Sequence, residues 1–136
     1  MKYKPLWTGF LKSAYEFPDR PAVYVAGHTI SYDQLRHKAL RYAATIQKHA
    51  PGYAPPLTAV YAYRTPTAFT GVLGSLLSGH GYVPLNRTFP LERTRTMLQL
   101  SGCRSMIVAD QLMRRISTFV EKKTKSPRQI KKKTSL

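Results

Sequence analysis

Apolar positions recur along this chain with two periods, and each change of period marks an element. Ala22-Val-Tyr-Val-Ala26 is a short β-branched and aromatic run, Gly27-His28 reads as a turn pair, and Thr29-Ile30-Ser31-Tyr32 follows as a second short run, so a hairpin is predicted. A helical period then begins. Ser31 with Gln34 fits a capping box and Ile30 with Leu35 a hydrophobic staple. Leu35, Ala39, Tyr42, Ala43 and Ile46 form one buried stripe, Arg36, Lys38, Arg41 and Lys48 lie on the other sides, and Pro51-Gly52 ends the pattern. After Pro55-Pro56, the near-continuous apolar run Leu57 to Tyr63 suits a strand covered on both faces.

Thr65-Pro66 reads as an N-cap followed by a first-turn proline, and Phe69, Val72, Leu73, Leu76 and Leu77 are expected as the inward stripe of the next helix, with Gly79 as its left-handed stop. Tyr82 to Leu85 is the next strand. A loop leads to a helix opening at Pro90, with Glu92 in its first turn where the macrodipole favours a carboxylate, and closing at Gly102. Ser105 to Ala109 is the last strand, bounded by Asp110, and Gln111 to Val120 is expected to be helical. Strand, helix, strand, helix, strand implies an α/β fold: a partial parallel-sheet subdomain with flanking helices and right-handed crossovers.

Composition divides the chain in two. The 136 residues are 43% hydrophobic, enough for one domain with a core and too few for a two-domain enzyme. The net charge of +16 has its densest stretch at the end: residues 121–136 hold seven Lys or Arg against one acid. That stretch lacks the apolar surface to offset the entropy of ordering. The expected division is a domain over 1–120 and a disordered basic tail over 121–136. The tail reads as solvated, or as a reading frame that ran on after a truncation; the rival reading is a patch for nucleic acid, anionic membrane or targeting.

One cysteine, Cys103, forbids an internal disulfide and reads as a small loop or core residue. No run of about 18 apolar residues exists, so no membrane is expected and a cytoplasmic location is.

Much familiar chemistry is missing. The sequence contains no GxxxxGK[ST], GxGxxG or GxSxG, and no Cys or His cluster at metal-ligand spacing. His28, His37, His49 and His80 are scattered and read as solvated, while Asp19 and Asp33 stand at a turn and a helix start, where carboxylates cap. Tyr42, Tyr61, Tyr63 and Phe69 lie among basic residues as a nucleic-acid platform would require, but their period assigns most of them to packing.

Two motifs point to a family. Ile30-Ser31-Tyr32-Asp33-Gln34-Leu35 resembles the first core motif of the adenylate-forming ligases, usually written LTYxEL. Ser78-Gly79-His80-Gly81-Tyr82-Val83-Pro84-Leu85, continuing through Phe89-Pro90 and Arg93, resembles their second, often KAGxAYVPLDPxYPxxR. With Phe17 to Val23 as the entry to the first strand, residues from about Tyr15 to Asp110 resemble the start of an adenylation domain of the nonribosomal peptide synthetases. Asn86 and Arg87 stand where that family usually has Asp-Pro, and Ser78 and His80 replace commoner small residues. The motif residues read as structural: Pro84 and Pro90 restrict φ around a loop, and Arg93 is expected to reach loop carbonyls or a carboxylate.

The resemblance implies, for an intact enzyme, ATP and Mg²⁺, attack of a substrate carboxylate on the α-phosphate, an acyl-adenylate with release of pyrophosphate, and transfer to a thiol. It also implies that the nucleotide loop and the catalytic lysine lie downstream of Asp110. The chain is therefore expected to be truncated before the ATP-binding loop, with no catalytic, cofactor-binding or metal-binding residue of its own, no cofactor and no activity alone. Its expected partners are the missing remainder of the domain or a carrier protein. A non-catalytic subunit complementing a separately encoded remainder is the second reading, and a nucleic-acid-binding protein the third.

Overall fold

The computed structural model describes residues 2–117. Helix α1 (Thr8–Glu16) precedes a hairpin of β1 (Pro21–Val25) and β2 (His28–Ser31), and α2 (Tyr32–His49) follows directly. Strands β3 (Leu57–Tyr61), β4 (Gly81–Leu85) and β5 (Ser105–Val108) alternate with α3 (Pro66–Leu77) and α4 (Leu91–Ser101). A short 3₁₀ turn, Asp110–Leu112, leads into helical residues 113–117. The expected tail over 121–136, and the end of the expected helix over 118–120, lie outside the described residues.

The hairpin turns one residue earlier than its sequence suggests. Ala26 (φ 51°) and Gly27 (φ 76°) are its two central residues, both at positive φ, and His28 pairs with Val25. A two-residue turn with both residues in this region matches the strand twist, and Ala26 accepts the less favoured conformation to make it. Ser31 then caps α2 as its motif requires: its hydroxyl accepts from the Gln34 amide at 3.1 Å, and the Gln34 side chain accepts from the Ser31 amide at 3.0 Å. Asp33 is not a cap. Its carboxylate pairs with Arg36 at 2.8 Å, and that hydrogen bond, with His37 nearby, holds it below the usual carboxylate range against a smaller opposing effect of burial.

The pattern of Trp7, Phe10, Leu11 and Ala14 carries the i, i+3, i+4, i+7 spacing of α1, an element not anticipated above. Phe10 stacks on Tyr32 at 6.4 Å and Arg36 lies 5.2 Å from the Tyr15 ring, fastening α1 to the start of α2.

The parallel sheet has the order β4-β3-β5. Its central strand is buried from Thr58 to Tyr61, so helices cover both faces. Ala59 and Tyr61 point to the side where Met97, Leu98, Cys103, Leu112 and Ile116 pack. Thr58 and Val60 point to the other side, toward α3 and α2. Pro84 is tolerated because β4 pairs on one side alone, where a missing N–H leaves no gap between strands.

Helix α3 corrects the sequence reading. Its buried residues are Thr70, Gly71, Gly74 and Ser75, whereas Phe69 is 43% exposed and Val72, Leu73, Leu76 and Leu77 are all partly exposed. Close approach decides this. A Cβ on Gly74 would lie 2.6 Å from Tyr42 Cβ, and one on Gly71 3.1 Å from Val60 Cγ1, so a Leu stripe has no room here. Thr70 and Ser75 enter that face with their hydroxyls donating to the Pro66 and Gly71 carbonyls one turn back.

Replacing Gly by Ala in a helix usually raises stability by about 0.5–1 kcal/mol. Gly74→Ala is expected to lower it by about 1–3 kcal/mol through overpacking, while Gly9→Ala in α1, with open space around it, keeps the usual sign; urea titration of the two variants decides.

Candidate functional site

In a parallel α/β sheet ligands gather at the carboxyl ends of the strands, next to the point where the connections reverse direction. Here β3 connects through α3 to β4 on one side, and β4 connects through α4 to β5 on the other. The loops leaving these strand ends, residues 62–65, 86–90 and 109–112, are the candidate site.

The first loop is under strain. Arg64 has φ 34°, an uncommon conformation for a residue with a Cβ. Thr65 occupies the N-cap position, but its hydroxyl makes no cap bond and is buried without a partner. The expected cap is thus absent: the Ala68 amide that would take it bonds to the Thr65 carbonyl at 3.1 Å, and Pro66 has no N–H to offer.

The second loop is well tied. Asn86 Oδ1 accepts from the Thr88 amide and hydroxyl, both at 3.0 Å, and the Phe89 amide donates to the Asn86 carbonyl at 3.1 Å. Asn performs the local bonding of an Asx turn, a task its place in the motif requires of either Asp or Asn. Arg87 lies over the Tyr63 ring at 3.9 Å, with Arg64 at 5.5 Å from the same ring. The two strand-end loops are joined by that stacking.

Arg93 does not reach the loop carbonyls. Its guanidinium lies over the Phe89 ring at 4.1 Å. The carbonyls of Arg87 and Phe89 are instead taken by Arg115, the latter at 3.1 Å, from the helical segment after β5. A planar guanidinium serves two adjacent acceptors at once, which a lysine could not do with the same geometry. Nothing local to the sequence motif signals this partner, which lies 28 residues beyond Arg87.

The result is a basic, aromatic rim, with Arg64 and Arg87 on the loops, Arg93 in the first turn of α4 and Arg115 on the helical segment after β5. Its charge has the sign that favours anions, and among the described residues it holds no nucleophile paired with a base. Among the described residues no three His, Cys, Asp or Glu side chains converge.

One nucleophile-and-base pair does occur at the opposite end of the sheet. Thr58 Oγ1 lies 2.9 Å from His80 Nδ1 and 2.8 Å from Ser105 Oγ. His80 is therefore bonded and half-buried rather than solvated as expected, because β4 begins beside the start of β3. Thr58 is fully buried, so no substrate reaches its hydroxyl, and the trio ties three strands together. Of the aromatic residues, Tyr61 is core, Tyr42 and Tyr63 are half-buried, and Phe69 is exposed, against the packing assigned to it. Cys103 packs at the edge of the core as a free thiol, 3.3 Å from Ser101 Oγ.

A family model described as AMP-binding enzyme matches residues 10–136. The chain belongs to the AMP-binding enzyme family. Surfactin synthase subunit 3 of Bacillus subtilis is 32% identical over 109 residues, covering 80% of this chain and 8% of that protein. The Vibrio cholerae adenylation domain AlmE, solved with glycyl-adenosine-5'-phosphate, shares the fold with a TM-score of 0.75 at 22% identity, over 89% of this chain and 22% of its own. NpsA-ThdA of Klebsiella oxytoca, an artificially fused adenylation–PCP di-domain, has a TM-score of 0.69 at 23% identity, over 80% of this chain and 22% of its own. The chain thus spans a small part of each relative. No helix among the described residues is long and apolar enough to cross a membrane.

Arg115→Ala is expected to leave the sheet folded while speeding amide hydrogen exchange at Thr88 and Phe89 by about tenfold, the equivalent of about 1.4 kcal/mol. Unchanged exchange there would show that the loop holds without its clamp.

Proposed function

We propose that this chain forms the first part of an amino-acid-activating adenylation domain and serves it as scaffold rather than as catalyst. The observation that carries the reading is the placement of Gly81 to Arg93. The family's second motif forms an edge strand, a loop at the carboxyl end of the sheet and the start of a helix, and Arg115 and the Tyr63–Arg87 stack fix that loop.

In such a domain the first reaction is transfer of an adenylyl group from ATP to a carboxylate. A carboxylate oxygen of the amino acid bonds to the α-phosphorus of ATP, the bond from that phosphorus to the bridging oxygen breaks, and pyrophosphate leaves; later a carrier-protein thiol bonds to the acyl carbon and AMP leaves. ATP and Mg²⁺ belong to that whole domain. The present residues contribute position: a rigid sheet end and an ordered loop against which a nucleotide-binding part is held. The guanidinium groups at the rim give this end a positive field of the sign such an anion needs. A cytoplasmic setting, with a carrier protein as partner of the complete domain, belongs to the same reading.

Support for inactivity of these 136 residues alone comes from the sequence, which holds no GxxxxGK[ST] phosphate loop, and from the candidate loops, where no nucleophile is paired with a base among the described residues. The purified chain is expected to give no ATP–pyrophosphate exchange above background with any proteinogenic amino acid, and exchange with even one of them would overturn the scaffold reading. The exposure of Phe69 on α3 among the described residues favours a second form of the reading, in which the rest of the domain joins as a partner.

A further inference from the structure

The first turn of α3 opens onto a trough that it shares with α2. A cavity of about 390 Å³ is lined by Lys38, Arg41 and Tyr42 of α2 together with Thr67 and Thr70 of α3. A second cavity, of about 450 Å³, takes in Gln34, Thr65 and Gln111. Lys38 and Pro66 line both, so the two form one trough along α2 with the start of α3 at its middle. No Asp or Glu lines either part.

The unbonded groups around its centre can all donate hydrogen bonds. Lys38 and Arg41, one turn apart on α2, have no ion pair or side-chain hydrogen bond among the described residues. The Tyr42 and Thr67 hydroxyls are equally unbonded there, while Thr45 and Thr70 donate theirs to the Arg41 and Pro66 carbonyls. The Thr65 hydroxyl, on a residue that lines the second cavity, is buried without a partner. The backbone adds to this. The Ala68 amide bonds to the Thr65 carbonyl at 3.1 Å, and the Thr67 amide is left without a backbone acceptor. A helix presents about half a positive charge at this end, and α3 has neither a side-chain cap nor a first-turn carboxylate to offset it.

We infer that the trough binds a phosphate monoester of a small organic molecule. The phosphate sits at the start of α3, on the Thr67 amide and hydroxyl, with Lys38 and Arg41 facing it from α2. A doubly charged group with three terminal oxygens suits two cations and a helix start better than a single carboxylate does, since each oxygen finds its own donor. The organic part follows from size. Pockets for small molecules run to about 300–1,000 Å³, and each cavity here falls in that range, far beyond what a bare anion fills. Tyr42 and Pro66 offer this part an apolar wall, and Gln34 and Gln111 offer it amides. The site uses none of the rim residues Arg64, Arg87, Arg93 and Arg115, and it does not depend on the adenylation reading.

The test titrates phenyl phosphate and inorganic phosphate into the ¹⁵N-labelled 136-residue chain at constant ionic strength and follows the amide shifts by NMR. Saturable shifts at Thr67 and Ala68 are expected, with a Kd of about 1 mM or lower for phenyl phosphate. That probe should bind at least about threefold tighter than inorganic phosphate, because its ring buries against the trough wall. Lys38→Gln combined with Arg41→Gln should weaken it about tenfold or more, as loss of hydrogen bonds to a charged group does. Thr67→Glu should abolish binding while Tm holds or rises, because a first-turn carboxylate takes the place of the anion at the helix start. Arg93→Gln, on the rim, should leave the affinity unchanged. Shifts that do not saturate, affinity indifferent to the α2 pair and to Thr67→Glu, or loss of binding in Arg93→Gln would each overturn the inference. Equal affinity for the two probes would assign the site to the free ion and overturn the monoester.

Discussion

The structure depends on how closely α3 can approach its neighbours. Gly74 lets the backbone of α3 sit against Tyr42 and the Ala39 carbonyl of α2, and Gly71 lets it sit against Val60 and Ile107 of the sheet. This approach fixes the position of α2 relative to the sheet, and so fixes the hairpin that α2 continues from. It also dictates which side of α3 faces out. Small residues occupy the near side because nothing larger fits, and the large apolar residues of α3 are left on the far side.

The other face of the sheet is packed more conventionally, and it supports the carboxyl-end loops. Tyr61, Leu85, Ala109, Leu112 and Ile116 form one cluster that carries the ends of all three strands and the segment bearing Arg115. Because that cluster is buried, Arg115 is delivered to the carbonyls of residues 87 and 89 by packing rather than by local sequence. The Tyr63–Arg87 stack adds a second tie from the neighbouring strand end. A loop held from two sides in this way is a rigid wall for whatever binds beside it, and its cations set the sign of what is attracted. Membership in the AMP-binding enzyme family gives that wall a context.

Strand and helix positions were legible in the sequence because their signals are local. Ser31 and Gln34 announce a helix start by chemistry within four residues, and Gly102, at φ 66°, announces an end by backbone conformation alone. The inward face of α3 was not legible. Hydrophobic period assumes that the larger apolar stripe faces the core, and it fails for a helix apolar all round, where the small stripe packs and the large one waits for another layer. The tie between Arg115 and the loop of residues 86–90 was hidden for a different reason, since it joins positions far apart in the chain through tertiary packing. His80 was misread likewise, because its partner Thr58 belongs to another strand.

The orientation of α3 is the claim on which this account rests, and residue-level carbene footprinting of the isolated 136-residue chain tests it most directly. The account requires strong labelling at Phe69, with Thr70, Gly71, Gly74 and Ser75 protected. Labelling of the small-residue face, with Phe69 protected, would contradict it.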